Sequence, residues 1–316
     1  MHCMARLLSV VIPTFNEEST LTDFIESCTA TLQALPEDLN YEMVFVDDGS
    51  TDQSKRVIRQ SIERNSRIRL VALSRNFGHQ AALTAGLQSA KGDAIVSIDC
   101  DLQDPPSVIL QMVSEWESGA DVVLAKRSSR SGETRFKIWT AKIFYAFIAA
   151  LSDTPLSQNV GDFRLLSREV VDVLLAMNES SPYYRGLVNW VGFNQVDVLY
   201  DRDPRFAGET KYTLRKMIRL ALSGITSFSD RPLQLASAMG LCLMAFSFLA
   251  GFLTIIAKIM DPSRAVAGYV SLLLAVLFLG GIQLFSIGIL GLYLSVVNQN
   301  TKSRPRFIIW NKESSD

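Results

Sequence analysis

The stretch at residues 42–52, EMVFVDDGSTD, runs from a short apolar segment into a polar turn built on Asp47-Asp48-Gly49-Ser50. A run as short as residues 42–46 suits a strand better than a helix, and Asp-Gly is a common turn pair. Upstream, residues 7–12 (LLSVVI) read as a second strand that ends at Pro13-Thr14-Phe15-Asn16-Glu17, and Leu21–Leu35 between the two has helical period. Downstream, strands fit Ile68–Ala72, Ala94–Ile98 and Asp121–Leu124, with helices near Asp52–Arg64, Gln80–Ala90 and Ser107–Ser118. This alternation predicts an α/β fold with a mainly parallel, Rossmann-like sheet covered by helices. Ligands of such sheets bind beyond the carboxyl ends of the strands. There the sequence places Glu17, Asp47, Asp48, Ser74-Arg75-Asn76, Asp99 and Asp101, a set rich in carboxylates.

The 316 residues are 48% hydrophobic and 20% charged, with a formal net charge of −1, which excludes a disordered chain. That neutrality conceals a net −9 over residues 1–124 and a net +8 over residues 125–316. A basic half can meet nucleic acid or anionic lipid, and hydropathy favours lipid, with no nucleic-acid partner expected. No charge occurs in the 25 residues between Pro232 and Lys258 or in the 37 between Arg264 and Lys302. About 20 apolar residues cross a bilayer, so two transmembrane helices are expected near 233–257 and 267–297, joined as a hairpin. Arg215, Lys216, Arg219 and Arg231 precede the first, and Lys302, Arg304 and Arg306 follow the second. The positive-inside bias then puts both termini in the cytoplasm.

The expectation is a multi-pass protein of the plasma (inner) membrane, with a cytoplasmic domain at 1–231, the hairpin at 232–300 and a cytoplasmic tail at 301–316. No export signal is expected from MHCMARLLSVVIP, whose apolar run is too short. Segments 134–151 and 211–228 mix basic with aromatic and aliphatic residues and read as interfacial amphipathic helices; for the first, packing on the soluble core is the alternative. Gly280, Gly281, Gly288 and Gly291 suggest close helix packing and a homo-oligomer. The apolar runs contain no ionisable residue, which disfavours a pore or transporter. Cys3, Cys28, Cys100 and Cys242 form no CxxC pair, and His2 and His79 are the only histidines, so a zinc site is not expected.

Asp99-Cys100-Asp101-Leu102-Gln103 follows the Ala94–Ile98 strand. Continued strand alternation would turn residues 99, 101 and 103 to one side, where their oxygens suit Mg²⁺ or Mn²⁺ shared with a substrate diphosphate. The alternative is a polar turn before Pro105-Pro106. Asp47 and Asp48 can accept hydrogen bonds from a base or a ribose, so a nucleotide would fit between Asp48 and Asp101; a turn with a helix cap is again the alternative. The first strand is followed by no GxGxxG, and no Walker Gly-Lys-Ser/Thr occurs, which disfavours dinucleotide and P-loop sites.

VVIPTFNEE, VDDGSTD, LSRNFGHQAALTAGL, DCDLQDPP, GDFRLLSR and RFAGETKYTLRKMI, in this order ahead of two apolar runs, resemble glycosyltransferase family 2. Within it the chain is similar to the polyprenyl-phosphate glycosyltransferases, above all the bacterial undecaprenyl-phosphate glucosyltransferases that serve O-antigen modification, with dolichyl-phosphate mannose synthase more distant. The resemblance implies a GT-A fold and inverting transfer of one sugar from a sugar nucleotide, UDP-glucose first, to undecaprenyl phosphate, with Mg²⁺ or Mn²⁺. It implies that Pro13, Phe15, Glu17, Val46, Asp48, Asp99, Cys100 and Asp101 hold the sugar nucleotide, and that Asp99, Asp101 and Gln103 hold the metal. It further implies that Arg127, Arg205 and Lys211 bind phosphates and that Asp162 and Arg164 are catalytic. A lipid monophosphate is largely dianionic at neutral pH and scarcely needs a general base, so Asp162 is expected to orient the acceptor or Arg164. GDP-mannose, a UDP-N-acetylhexosamine or a UDP-aminoarabinose derivative are alternative donors, and a non-catalytic membrane scaffold is the reading from another class.

Overall fold

The computed structural model describes residues 6–128, 160–177, 179, 182–201, 231–260, 268–302 and 304–310. Its elements run β1 (Arg6–Thr14), α1 (Leu21–Leu32), β2 (Leu39–Asp47), α2 (Ser54–Arg64), β3 (Ile68–Ala72), α3 (His79–Ser89), β4 (Ala94–Ser97), α4 (Val108–Glu117) and β5 (Val122–Arg127). After residues 129–159 follow β6 (Val160–Ser167), α5 (Arg168–Ala176), α6 (Tyr184–Trp190), β7 (Gln195–Tyr200), α7 (Arg231–Met260) and α8 (Tyr269–Thr301). The seven strands form one sheet in the order β3-β2-β1-β4-β6-β5-β7. β1 is parallel to β2 and β4, β2 to β3, and β5 to β7, while β6 runs antiparallel to β4 and β5. This is the GT-A-like arrangement, mixed but mostly parallel.

Both faces of the central strands are buried, as a parallel sheet between helices requires. Leu8, Val10 and Ile12 of β1 join Leu21, Phe24 and Cys28 of α1 and Ile109 and Met112 of α4 in one core. The alternate residue Val11 meets α3 so closely that a Cβ on Gly86 would overlap its side chain. Glycine there lets the helix lie directly on the strand.

The β3 edge is not left open. Ser74 N–H donates to Ile308 O at 2.9 Å and Trp310 N–H to Ala72 O at 2.7 Å, with Leu73 and Ile309 in antiparallel register. The segment expected to be a plain cytoplasmic tail therefore extends the sheet.

The described residues fall into two compact units: α7 and α8 make the second, and the sheet with residues 304–310 belongs to the first. Among the described residues, one stretch is long and apolar enough to cross a membrane, the 24 residues Phe278–Thr301 with mean hydropathy 1.8. In α7 the corresponding apolar stretch, Ala236–Ala250, is shorter. The expected amphipathic segments 134–151 and 211–228 lie outside the described residues.

Candidate active site

The loops after β1 and β2 are laced together at the carboxyl edge of the sheet. Asn16 Oδ1 accepts Thr51 N–H at 2.9 Å, Ser50 Oγ accepts Asn16 N–H at 3.0 Å, and Ser54 Oγ accepts Glu17 N–H at 3.0 Å. Asp47 folds back on its own turn, accepting Gly49 N–H at 3.0 Å and pairing with Lys55 Nζ at 3.2 Å. Asp48 accepts Phe77 N–H at 2.7 Å and Gly78 N–H at 2.9 Å. It is buried, and that burial raises its pKa against the pull of the two amides. Asp48 thus fixes the 76–78 loop with the oxygens expected to meet a nucleotide. Pro13 is the next-to-last residue of β1, Val46 is buried, and Phe15 is exposed. Asn16 (φ 54°) and Leu102 (φ 58°) occupy a backbone region that non-glycine residues rarely adopt and that concentrates at functional sites.

β4 ends at Ser97, so alternation does not carry through Asp99, Asp101 and Gln103; a turn with Leu102 in the left-handed region replaces it. Asp101 Oδ1 accepts Gln103 N–H at 3.1 Å. Gln103 is buried, a departure from the expected row of three outward oxygens. Cys100 is buried as well, its Sγ 3.7 Å from Pro13 O, and burial pushes its thiol up. The Asp99 side chain is 40% exposed, and other carboxylates crowd it. Its carboxyl is pushed up to about 6, chiefly by burial and further by Asp162, Asp101 and Asp104, against the pull of His79. Burial likewise raises Glu17, and Asp101 and Asp99 add to it.

The sheet brings Asp162 to the same edge. Ala94 pairs with Ser167 and Ser97 with Arg164 across β4 and β6, and His79 Nε2 stands between the Asp99 and Asp162 carboxylates. Ser97 Oγ donates to Asp162 O at 2.5 Å, and a Tyr184–Thr84 hydroxyl contact of 3.1 Å ties α6 to α3. The Asp162 carboxylate collects Arg164 Nη2 at 2.8 Å, Arg185 Nε at 3.1 Å and Nη2 at 2.8 Å, and His79 Nε2 at 3.3 Å. Burial alone would push it up, but His79 and the two guanidiniums hold it well below the usual range. His79 Nε2 also lies 3.9 Å from Asp99, and despite its burial the hydrogen bond to Asp162 raises its pKa.

Arg127, at the end of β5 beside β6, lies next to Gly161. Its Nε is 3.4 Å from the Tyr200 hydroxyl, which donates to Asp104 at 2.5 Å, and its Nη2 is 3.9 Å from Asp104. Arg205 and Lys211 lie outside the described residues. Sequence reasoning missed His79, Arg185, Asp104 and Tyr200. His79 sits inside a motif quoted above, LSRNFGHQAALTAGL, just after Gly78 at the start of α3; nothing local marks Arg185, which only the tertiary fold brings to Asp162.

The sheet is of the GT-A-like kind, and the class of protein is shown by sequence similarity to be a glycosyltransferase. The Glycosyl transferase family 2 profile matches residues 9–175. An uncharacterized glycosyltransferase, YkcC, of Bacillus subtilis (strain 168) is 42% identical over 95% of this chain and 92% of its own. The bactoprenol glucosyl transferase of Shigella phage SfX is 42% identical over 97% of this chain and 99% of its own. Among solved structures, glucosyl-3-phosphoglycerate synthase from Mycobacterium tuberculosis in complex with Mn²⁺, UDP and phosphoglyceric acid is 26% identical, with a TM-score of 0.48 over 70% of this chain and 76% of that chain. The chain belongs to glycosyl transferase family 2.

Proposed function

We propose that the protein transfers one glucosyl unit, with inversion, from UDP-glucose to the phosphate of undecaprenyl phosphate at the cytoplasmic face of the membrane. The observation that carries this is the meeting of the Asp99–Asp101 turn with the Asp162–arginine cluster, an acidic half beside a cationic half at the carboxyl edge of one sheet. Near full-length similarity to proteins named bactoprenol glucosyl transferase supports the lipid acceptor. The 24 apolar residues of α8 support a membrane location, with α7 as the second crossing of the hairpin and both termini cytoplasmic.

The donor set fits a hard divalent cation. Among the described residues no three His, Cys, Asp or Glu side chains are grouped closely enough to chelate one; two carboxylates leave positions for substrate phosphate and water, as Mg²⁺ and Mn²⁺ sites commonly do. The mutual repulsion around Asp99 is an excess of negative charge that such an ion offsets. Bound by Asp99 and Asp101, Mg²⁺ or Mn²⁺ would stabilise charge on the departing diphosphate. The protein's part is positional. The laced loops of Asn16, Ser50 and Gly49 fix the nucleotide side, Arg127 offers positive charge near Gly161, and the Asp162 cluster faces the acceptor. A lipid monophosphate supplies its own nucleophilic oxygen, so the chain need only align it behind the anomeric carbon.

The test is transfer of radiolabel from UDP-glucose to undecaprenyl phosphate by the detergent-solubilised protein, with Mg²⁺ or Mn²⁺, with EDTA, and with an Asp101→Ala control. Label in lipid that EDTA and the control abolish is expected. Label only from another sugar nucleotide replaces the donor, and silence with every donor leaves a scaffold.

A further inference from the structure

We infer that Arg185 receives the phosphate of the acceptor and that Asp162 is a positioning residue, holding the Arg185 guanidinium in place rather than abstracting a proton. This rests on the lipid monophosphate acceptor proposed above. Asp162 Oδ1 takes Arg164 Nη2 and Arg185 Nε, and Oδ2 takes Arg185 Nη2 and His79 Nε2. Four donors use both lone pairs of each oxygen, and the side chain is only 5% exposed. A general base needs a free lone pair within reach of the proton it removes; Asp162 has none to offer.

The two arginines around it are not equivalent. Arg164 is 2% exposed and gives its Nη groups to Gly161 O, Tyr184 O and Asp162; it is enclosed in the wall. The Arg185 side chain is 42% exposed. It spends Nε and Nη2 on Asp162, and its Nη1 makes no hydrogen bond among the described residues. Gripped along one edge, it presents the other, and a guanidinium fork suits phosphate oxygens. Asp162 with Arg164 and Arg185 carries one surplus positive charge, which faces the Asp99 carboxylate. The acceptor is the fitting recipient, because the donor diphosphate is met on the Asp99–Asp101 side, whereas a lipid phosphate brings about −1.5 to −2 charge of its own.

The experiment is steady-state kinetics of the full-length protein in detergent, comparing wild type with Arg185→Gln, Arg185→Lys and Asp162→Asn. Arg185→Gln is expected to raise KM for undecaprenyl phosphate about ten- to hundredfold, the weight of a lost charge-assisted contact, with KM for UDP-glucose unchanged. Arg185→Lys should recover part of the loss, and Asp162→Asn should raise the acceptor KM while keeping the ascending limb of the pH profile. A raised donor KM would assign Arg185 to the donor, and a fall in kcat with a lowered melting temperature and unchanged KM would make it structural. Loss of the ascending limb in Asp162→Asn would restore the general base. Each of these overturns the inference. Calorimetric titration with dodecyl phosphate needs no sugar donor. Binding by wild type that Arg185→Gln weakens supports the inference even if UDP-glucose is not the donor, and wild-type binding that the variant leaves intact overturns it.

Discussion

Gly49 lies against the backbone of Arg75 so closely that a Cβ there would stand 2.5 Å from the Arg75 carbonyl carbon and 2.6 Å from Asn76 N. Its φ of +73° adds a strain of about 1–3 kcal/mol for any other residue. Gly49→Ala is therefore expected to push the 47–54 and 74–78 loops apart. Thermal unfolding of the solubilised protein should shift down by about 5 °C or more, and the KM for the sugar nucleotide should rise. An unchanged melting temperature would show that the loops yield without cost.

Glu42 anchors the opposite, amino-terminal edge of β4. Its carboxylate accepts Ser9 Oγ at 2.7 Å, Lys91 N–H at 2.8 Å and Arg69 Nη1 at 2.7 Å. Burial opposes ionisation there, but these hydrogen bonds outweigh it and hold the pKa below the ordinary value. A carboxyl depressed in the folded state contributes stability that is present above its unfolded pKa of about 4.3 and is lost as pH falls through the folded value. Melting curves from about pH 6 down to about pH 3 should show that loss in wild type and a flatter dependence in Glu42→Gln. At neutral pH Glu42→Gln should cost about 1–3 kcal/mol, and equal slopes for the two proteins would remove Glu42 from the acid transition.

The α/β alternation was legible because each strand from β1 to β5 is a short apolar run bounded by turn residues, and the elements from β1 to β5 fall close to the expected spans, whereas β6, α5, α6 and β7 had none. What the sequence did not carry is what the sheet adds. Asp162 is brought to the end of β4 by β6 entering antiparallel between β4 and β5, a pairing with no local signature. Gln103 was expected to face outward by extending the period of two beyond Ser97, where the strand has already ended and Leu102 reverses the chain. Arg164 stands beside Asp162 in sequence and Arg185 does not, so proximity along the chain favoured the enclosed arginine over the exposed one.

That distinction predicts different kinds of damage at the two arginines. Arg164 is enclosed, and its removal takes the guanidinium donors from the buried Tyr184 O and Gly161 O as well as one partner from Asp162, at about 1–3 kcal/mol for each buried acceptor left unsatisfied. Arg164→Met should therefore lower the melting temperature sharply and reduce the yield of folded protein, while Arg185→Gln should unfold near the wild-type temperature. Thermal melts of the two variants side by side check this; equal destabilisation would mean that Asp162 depends on both arginines for the fold.

The β3 edge depends on the segment that covers it. An uncovered edge strand presents unpaired amide and carbonyl groups that invite association with other chains, and here Ile308–Trp310 covers it. Arg306 Nη2 donating to Met177 O fastens the same segment to the residue after α5. Trp310→Pro removes the N–H that bonds to Ala72 O and should cost about 1 kcal/mol, whereas deletion of residues 304–316 removes the whole cover. In the full-length protein, hydrogen exchange should show the Ser74 amide, which donates to Ile308 O, losing protection in both variants, and size-exclusion chromatography should show the deletion aggregating. Ser74 is four residues from Gly78, whose amide Asp48 holds, so loosening the cover should also raise the KM for the sugar nucleotide, more in the deletion than in Trp310→Pro. Retained protection at Ser74 after deletion would mean that β3 needs no partner on its outer edge.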